Sequence, residues 1–153
     1  MSRRRYDLRF AWGGTGMKVE NAVYPSAERV QALAADTSTG PVTMINLLKF
    51  RDRAAYKDGR PDEVSGVEAY MRYGVEMRKI VERAGGRFLF SGRVSGLIVG
   101  DVEELWDMVA IVEYPSRAEF YRLVMSPEVQ ALGVHREAGL AGQLLISTSG
   151  FNI

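Results

Sequence analysis

Three stretches of this chain are apolar along most of their length, where a one-sided sheet needs apolar residues only at alternate positions. Met108 to Val112 is continuously apolar, Val42 to Phe50 is nearly so, and Leu144, Leu145 and Ile146 run together. A β-strand sends successive side chains to opposite faces, so a strand with one wet face alternates apolar and polar residues. Strands that are apolar on both sides need both sides covered. Helices can cover one. A second copy of the sheet is the simplest cover for the other, so a homodimer is expected. A short helix near the N-terminus, around Val30 to Ala34, is the competing cover.

The order of elements narrows the architecture. Ser26 caps the short helix, and Asp36 to Pro41 ends it. Val42 to Phe50 is the first strong strand. Gly66 to Ala84 is a helix with Tyr70, Tyr73, Met77, Ile80, Val81 and Ala84 at helical spacing on one face, stopped by Gly85-Gly86. Arg87 to Gly100 reads as a strand with a bulge or bend at Gly92 and Gly96, and Leu105 to Tyr114 as a third strand. Ser116 and Glu119 form a capping box for a further helix, Ser126-Pro127 opens another, and Gln143 to Ser149 is the last strand. Strand, helix, strand, strand, helix, strand is the split βαβ plan. The predicted fold is therefore α+β: a ferredoxin-like βαββαβ unit with an antiparallel four-stranded sheet. It is expected to occupy residues 41–153, after an N-terminal extension over 17–40. Residues 1–16, with four arginines and Gly13-Gly14-Thr15-Gly16, read as a disordered leader, or as residues ahead of a true start at Met17. The charged stretch from Arg51 to Val64 is expected to be a mobile loop roofing one end of a pocket.

Composition removes whole classes of chemistry. The chain has no cysteine and one histidine. Disulfides, thiolate nucleophiles, thiolate zinc sites and iron–sulfur clusters are excluded, as is a multi-histidine metal site within one chain. The 20 basic and 19 acidic side chains leave a formal net charge of +1, which gives no whole-domain footprint for nucleic acid or an anionic membrane. No stretch approaches the roughly 18 apolar residues of a membrane span. A cytoplasmic location is the default expectation, and no cofactor or metal is called for.

Pro41-Val42 leading into Asn46-Leu47-Leu48-Lys49-Phe50, then Gly85-Gly86-Arg87, Trp106-Asp107, Tyr114-Pro115-Ser116-Arg117, Phe120, Ser126-Pro127-Glu128 and His135-Arg136 resemble the bacterial family catalogued as domain of unknown function 1330. The order and spacing match from about Pro41 to Ser149. The resemblance implies membership of the dimeric α/β-barrel superfamily, with two sheets closed into a barrel. It brings no assigned reaction. Val129 stands where the family often has an aromatic residue.

Several side chains are candidates for chemistry. Asp107, beside Trp106 in the third strand, is a candidate general base, with pairing to an arginine as its structural alternative. The acidic cluster Asp101, Glu103, Glu104 and Asp107 could ligate a hard cation, or simply solvate a turn. Asn46 is the polar exception in an apolar strand and must be hydrogen-bonded by protein or ligand. Tyr70 and Tyr73 pack the core or line an aromatic pocket. His135 is a helix-terminal residue or the pocket's acid–base group, and Arg136 an anion anchor or a salt bridge.

Two functions follow from these residues. One is a cofactor-independent enzyme, monooxygenase- or isomerase-like by analogy of fold, moving a proton through His135 or Asp107 on a small substrate held by Asn46, Tyr70, Tyr73, Trp106 and Arg136. The other is a non-catalytic, metabolite-binding or stress-related dimer. Convergence of two or more of these polar groups on one closed pocket is the feature that favours a site over scattered, satisfied side chains.

Overall fold

The computed structural model describes residues 18–61 and 63–150. The elements run α1 (Ala27–Ala35), β1 (Val42–Phe50), α2 (Gly66–Arg83), β2 (Arg87–Arg93), β3 (Met108–Tyr114), α3 (Arg117–Val124), α4 (Pro127–Gly139) and β4 (Leu140–Thr148). The four strands form one sheet in the order β2-β3-β1-β4, every neighbouring pair antiparallel. This is the α+β, ferredoxin-like arrangement that the order of elements predicts. The leader assigned to residues 1–16 lies outside the described residues.

Local signals set most boundaries. Ser65 accepts from the Glu68 backbone N–H while the Glu68 carboxylate accepts from that of Ser65, a complete capping box for α2. At its far end Gly86 N–H bonds to Val81 O at 2.9 Å and Gly85 N–H to Glu82 O at 3.1 Å, with Gly85 at φ 85°. That pair of bonds is the Schellman stop, and the left-handed residue it needs is a glycine. The box expected at α3 is only half made. Ser116 caps the Glu119 N–H, but the Glu119 carboxylate turns to Arg122.

The strands differ from expectation at three places. The second strand ends at Arg93, not Gly100, because the chains part beyond the Val94 N–H to Asp107 O bond at 2.9 Å. The third begins at Met108, so Trp106 and Asp107 precede it. The last begins at Leu140, directly from α4, three residues ahead of the predicted Gln143. The irregularity in β2 is also displaced. It falls between Phe88 and Phe90, making Leu89 the extra residue, while Gly92 pairs regularly with Val109.

The helices share one face of the sheet. Val42, Met44, Val112 and Tyr114 point toward them and pack with Met77, Ile80 and Val81 of α2, Phe120 and Leu123 of α3 and Val129 of α4. Leu33 of α1 joins the same cluster, so α1 lies on the helix side and does not cover the opposite face. The register defines what that opposite face carries. One row crosses all four strands as Phe90, Ile111, Ile45 and Ile146, and the next as Gly92, Val109, Leu47 and Leu144. Polar rows flank them: Arg87, Glu113, Thr43 and Thr148 at one end, with Arg87 bonded to Glu113 at 2.8 Å, and Lys49 at the other.

The loop from Arg51 to Val64 is anchored to the end of α4. Arg51 N–H bonds to Gly139 O at 2.8 Å, Ala55 N–H to Ala138 O at 2.9 Å, and Ala54 N–H to Val64 O at 2.9 Å. None of its described residues lines the cavity found beneath α2, so it does not roof that cavity.

The N-terminal extension docks in two ways. Ala22 pairs with Gln143 at the edge of β4. Asp36, just past α1, accepts from Arg117 of α3 at 2.8 Å. Hydrogen bonds from the Ser38 side chain, then Arg117, hold the Asp36 carboxyl down to about 2. A depressed carboxyl contributes stability above its unfolded value of about 3.9 and loses it as pH falls through the folded one. Carbon-detected NMR should find Asp36 titrating near 2, with the α1–α3 contacts loosening between about pH 4 and 2. An ordinary midpoint near 3.9 would show the tie to be absent in solution.

Candidate functional site

A cavity of about 180 Å³ lies between α2 and the sheet. Its origin is a shortage of side-chain volume on facing elements. Along α2 the stripe Tyr70, Gly74, Met77 has a missing side chain at Gly74, and β3 opposes it with Ala110 in a run of larger residues. Asn46 of β1, Phe88 and Ser91 of β2 and Met108 of β3 complete the wall. Ser91 reaches it because the extra residue at Leu89 puts Phe88 and Ser91 on the helix side and Phe90 on the other.

Three tyrosines, with Ser91 at the β2 side, are the wall residues whose hydroxyls have no prior commitment. Tyr70 and Tyr114 are only 8% and 6% exposed, and Tyr73 is half-buried. Among the described residues none of their hydroxyls forms a hydrogen bond, although every fully sealed polar side-chain atom has a partner. The three oxygens therefore border open space, and all three residues line the cavity. Tyr70 and Tyr73 have ring centroids 5.5 Å apart. Burial pushes all three phenols above their ordinary value, and neighbouring phenols add to this at Tyr70 and Tyr114. Arg136 pulls Tyr70 and Tyr73 down, less than burial pushes them up. All three are neutral at pH 7.

Asn46 borders the same cavity but is held by protein. Its Nδ2 donates to Ala110 O at 3.1 Å, and its Oδ1 accepts from Gln143 at 2.8 Å. Gln143 in turn accepts from Arg136 at 2.6 Å. This chain carries Arg136 inward from the surface without making it a wall of the cavity.

Of the residues singled out from sequence, Asn46, Tyr70 and Tyr73 come together; Trp106, Asp107, His135 and Arg136 do not line this cavity. Asp107 accepts from Lys49 at 3.2 Å and from the Phe50 backbone N–H at 2.8 Å, so its partner is a lysine, not an arginine. Lys49 also binds Glu104 at 2.9 Å. Among the described residues no acidic or histidine group is arranged to hold a metal ion. Trp106 donates to Asn21 at 2.7 Å. His135 Nδ1 shares a 2.7 Å hydrogen bond with Tyr56 of the anchored loop, and Arg72 donates to the same Tyr56 oxygen at 3.1 Å. Sequence reasoning missed Tyr114, Gly74, Ser91 and Ala110 as wall residues. The gap in the α2 stripe and the small residue amid β3 were the available signals.

Removing a buried hydroxyl that has no partner removes its desolvation cost, so Tyr114→Phe should leave the melting temperature unchanged or raise it, by up to about 1 kcal/mol in stability. A fall of several degrees would show that the hydroxyl is bonded.

The sheet order, the antiparallel ladders and the helices on one face define an α+β protein of ferredoxin-like fold. The family model described as Domain of unknown function (DUF1330) matches residues 60–149, and this chain belongs to that family. A solved protein of unknown function from Rhodopseudomonas palustris, RPA0582, is 34% identical, with a TM-score of 0.78 over 88% of this chain and 100% of its own. Its methylated form is 35% identical, with a TM-score of 0.79 over 86% and 96%. A more distant structure, described as a dimeric protein of unknown function and ferredoxin-like fold from Bacteroides fragilis, is 16% identical, with a TM-score of 0.41 over 72% and 97%. No curated protein matches. Among the described residues no helix is long and apolar enough to cross a membrane.

Proposed function

We propose that this chain is a small-molecule-binding homodimer, each subunit taking its ligand between α2 and the sheet. The observation that carries the reading is the convergence of three uncommitted phenol hydroxyls on one cavity. An apolar pocket with a few convergent polar groups is the usual form of a ligand site. Binding without proton transfer has more support than the enzymatic alternative, because the acid–base candidates His135 and Asp107 are engaged away from the cavity.

The dimer is supported by the sheet face opposite the helices. Two apolar rows flanked by polar rows have the pattern of an interface, with an apolar centre and a charged rim. Half-exposed Phe90 and Ile146, at 56% and 43%, close the ends of one row. Such a face is self-complementary when two copies meet about a two-fold axis.

Native mass spectrometry of protein purified from its own host tests the reading. The expected result is a dimer carrying a small organic molecule that Ala110→Leu, which fills the cavity, prevents from binding. A ligand retained at full occupancy by that folded variant would place the site elsewhere.

A further inference from the structure

We infer that the ligand is an uncharged, single-ring molecule whose carbonyl oxygen accepts a hydrogen bond at each lone pair from Tyr70 and Tyr114, with Tyr73 beside them. This rests on the reading of the cavity as a ligand site and adds the ligand's chemical class.

Size sets the first limit. An engineered apolar cavity of about 150 Å³ takes up benzene. The 180 Å³ here matches one ring and a small substituent. The wall sets the second. Met77, Phe88, Met108 and Val112 supply apolar surface, which suits a ring.

Charge sets the third. Among the described residues no carboxylate lines the cavity, so a cation finds no counter-ion among them. The one cationic wall residue, Arg78, is paired with Glu82 at 2.9 Å and lies 5.9 Å from the Phe88 ring centroid. Arg136 bonds Gln143, stands over Tyr24 at 5.8 Å and does not line the cavity. An anion would therefore lose part of its water without touching an uncommitted cation, which is costly against an apolar wall.

Donor count sets the fourth. The three neutral phenols and Ser91 supply four O–H donors, and the Asn46 amide, already donating once and accepting once, has one N–H left. A carbonyl oxygen has two lone pairs and matches a donor-rich wall. A hydrocarbon leaves all of these donors unsatisfied.

Three probes of nearly equal shape separate these possibilities: acetophenone, benzoate and ethylbenzene, titrated into the full-length protein at pH 7 by ligand-observed NMR. Acetophenone should bind about fivefold or more tighter than ethylbenzene, the scale of at least one neutral hydrogen bond. Benzoate should bind about tenfold or more weaker than acetophenone. Tyr70→Phe and Tyr114→Phe should each cost acetophenone about fivefold and leave ethylbenzene unchanged. Benzoate binding tightest, or tyrosine variants that do not discriminate acetophenone from ethylbenzene, would overturn the ligand class while leaving the cavity as a site. Failure of all three probes, or binding that persists in both Ala110→Leu and Gly74→Leu, would overturn the site itself. Gly74→Leu fills the cavity from the helix side, where a Cβ meets only the Tyr70 ring at 3.8 Å and the Met71 sulfur at 4.0 Å.

Discussion

Ile111→Lys is expected to turn a species of twice 17.0 kDa into one of 17.0 kDa at micromolar concentration. Ile111 is in the middle of the sheet face that none of the described helices covers. It stands between Ile45 on β1 and Phe90 on β2, with Ile146 beyond Ile45. In a two-fold dimer each substitution acts twice, once from each side. Losing the burial of one isoleucine costs about 1.5–3 kcal/mol, so the pair costs about 3–6. That is a weakening of about a hundredfold to ten-thousandfold. The opposed ammonium groups add repulsion. Folding should survive, because the helix-side cluster is untouched. Sedimentation and circular dichroism together check this. A variant that stays dimeric would put the interface elsewhere, and a monomeric parent would mean that another segment covers the face.

Gly139→Ala should lower stability by about 3 kcal/mol, the upper end of the overpacking range. For a chain of this size that is a fall of about 6–12 °C in melting temperature. The reason is the crossing of α2 and α4. A Cβ at Gly139 would meet Gly66 O at 2.4 Å and Tyr70 N at 2.8 Å, both backbone atoms of α2 that cannot swing aside. The helices must separate, and Tyr70, which faces the cavity, moves with α2. Gly133 in the same helix has no atom within 4 Å of an added Cβ. Gly133→Ala should therefore stabilise by about 0.5–1 kcal/mol. Equal melting curves for the two variants would refute the tight crossing.

Much of this architecture was legible in the residues. The apolar runs of β1 and β3, the stop at Gly85-Gly86 and the caps at Ser26, Ser116 and Ser126 act locally, within a few residues of where they are read. The length of β2 was not legible, because a strand ends where its partner departs, and the partner is remote in sequence. The same holds for the site. Tyr70 and Tyr73 could be put on the sheet-facing side of α2 from spacing alone. Their relation to Tyr114 depends on how helix and strand cross. Asn46 could be seen to need partners, but Gln143 and Ala110 come from two other strands. His135 and Asp107 were chosen for their chemistry, and chemistry alone does not fix which neighbour a side chain meets. Tyr56 and Lys49 are those neighbours.

The extra residue at Leu89 acts as a phase shift in β2. Were Leu89 paired in unbroken alternation, Phe88 and Phe90 would project on the same side, and Ser91 would join Arg87 on the other. With Leu89 left out of the pairing, two adjacent residues serve different customers: Phe90 belongs to the face a second subunit would meet, and Ser91 to the wall a ligand would touch. Deleting Leu89 would leave a regular ladder with these facings unchanged, whereas pairing Leu89 into the ladder would exchange those allegiances for the rest of the strand. The two surfaces are thus set by a single local irregularity in pairing, and a register that took Leu89 into the ladder would alter both at once even if every side chain were kept.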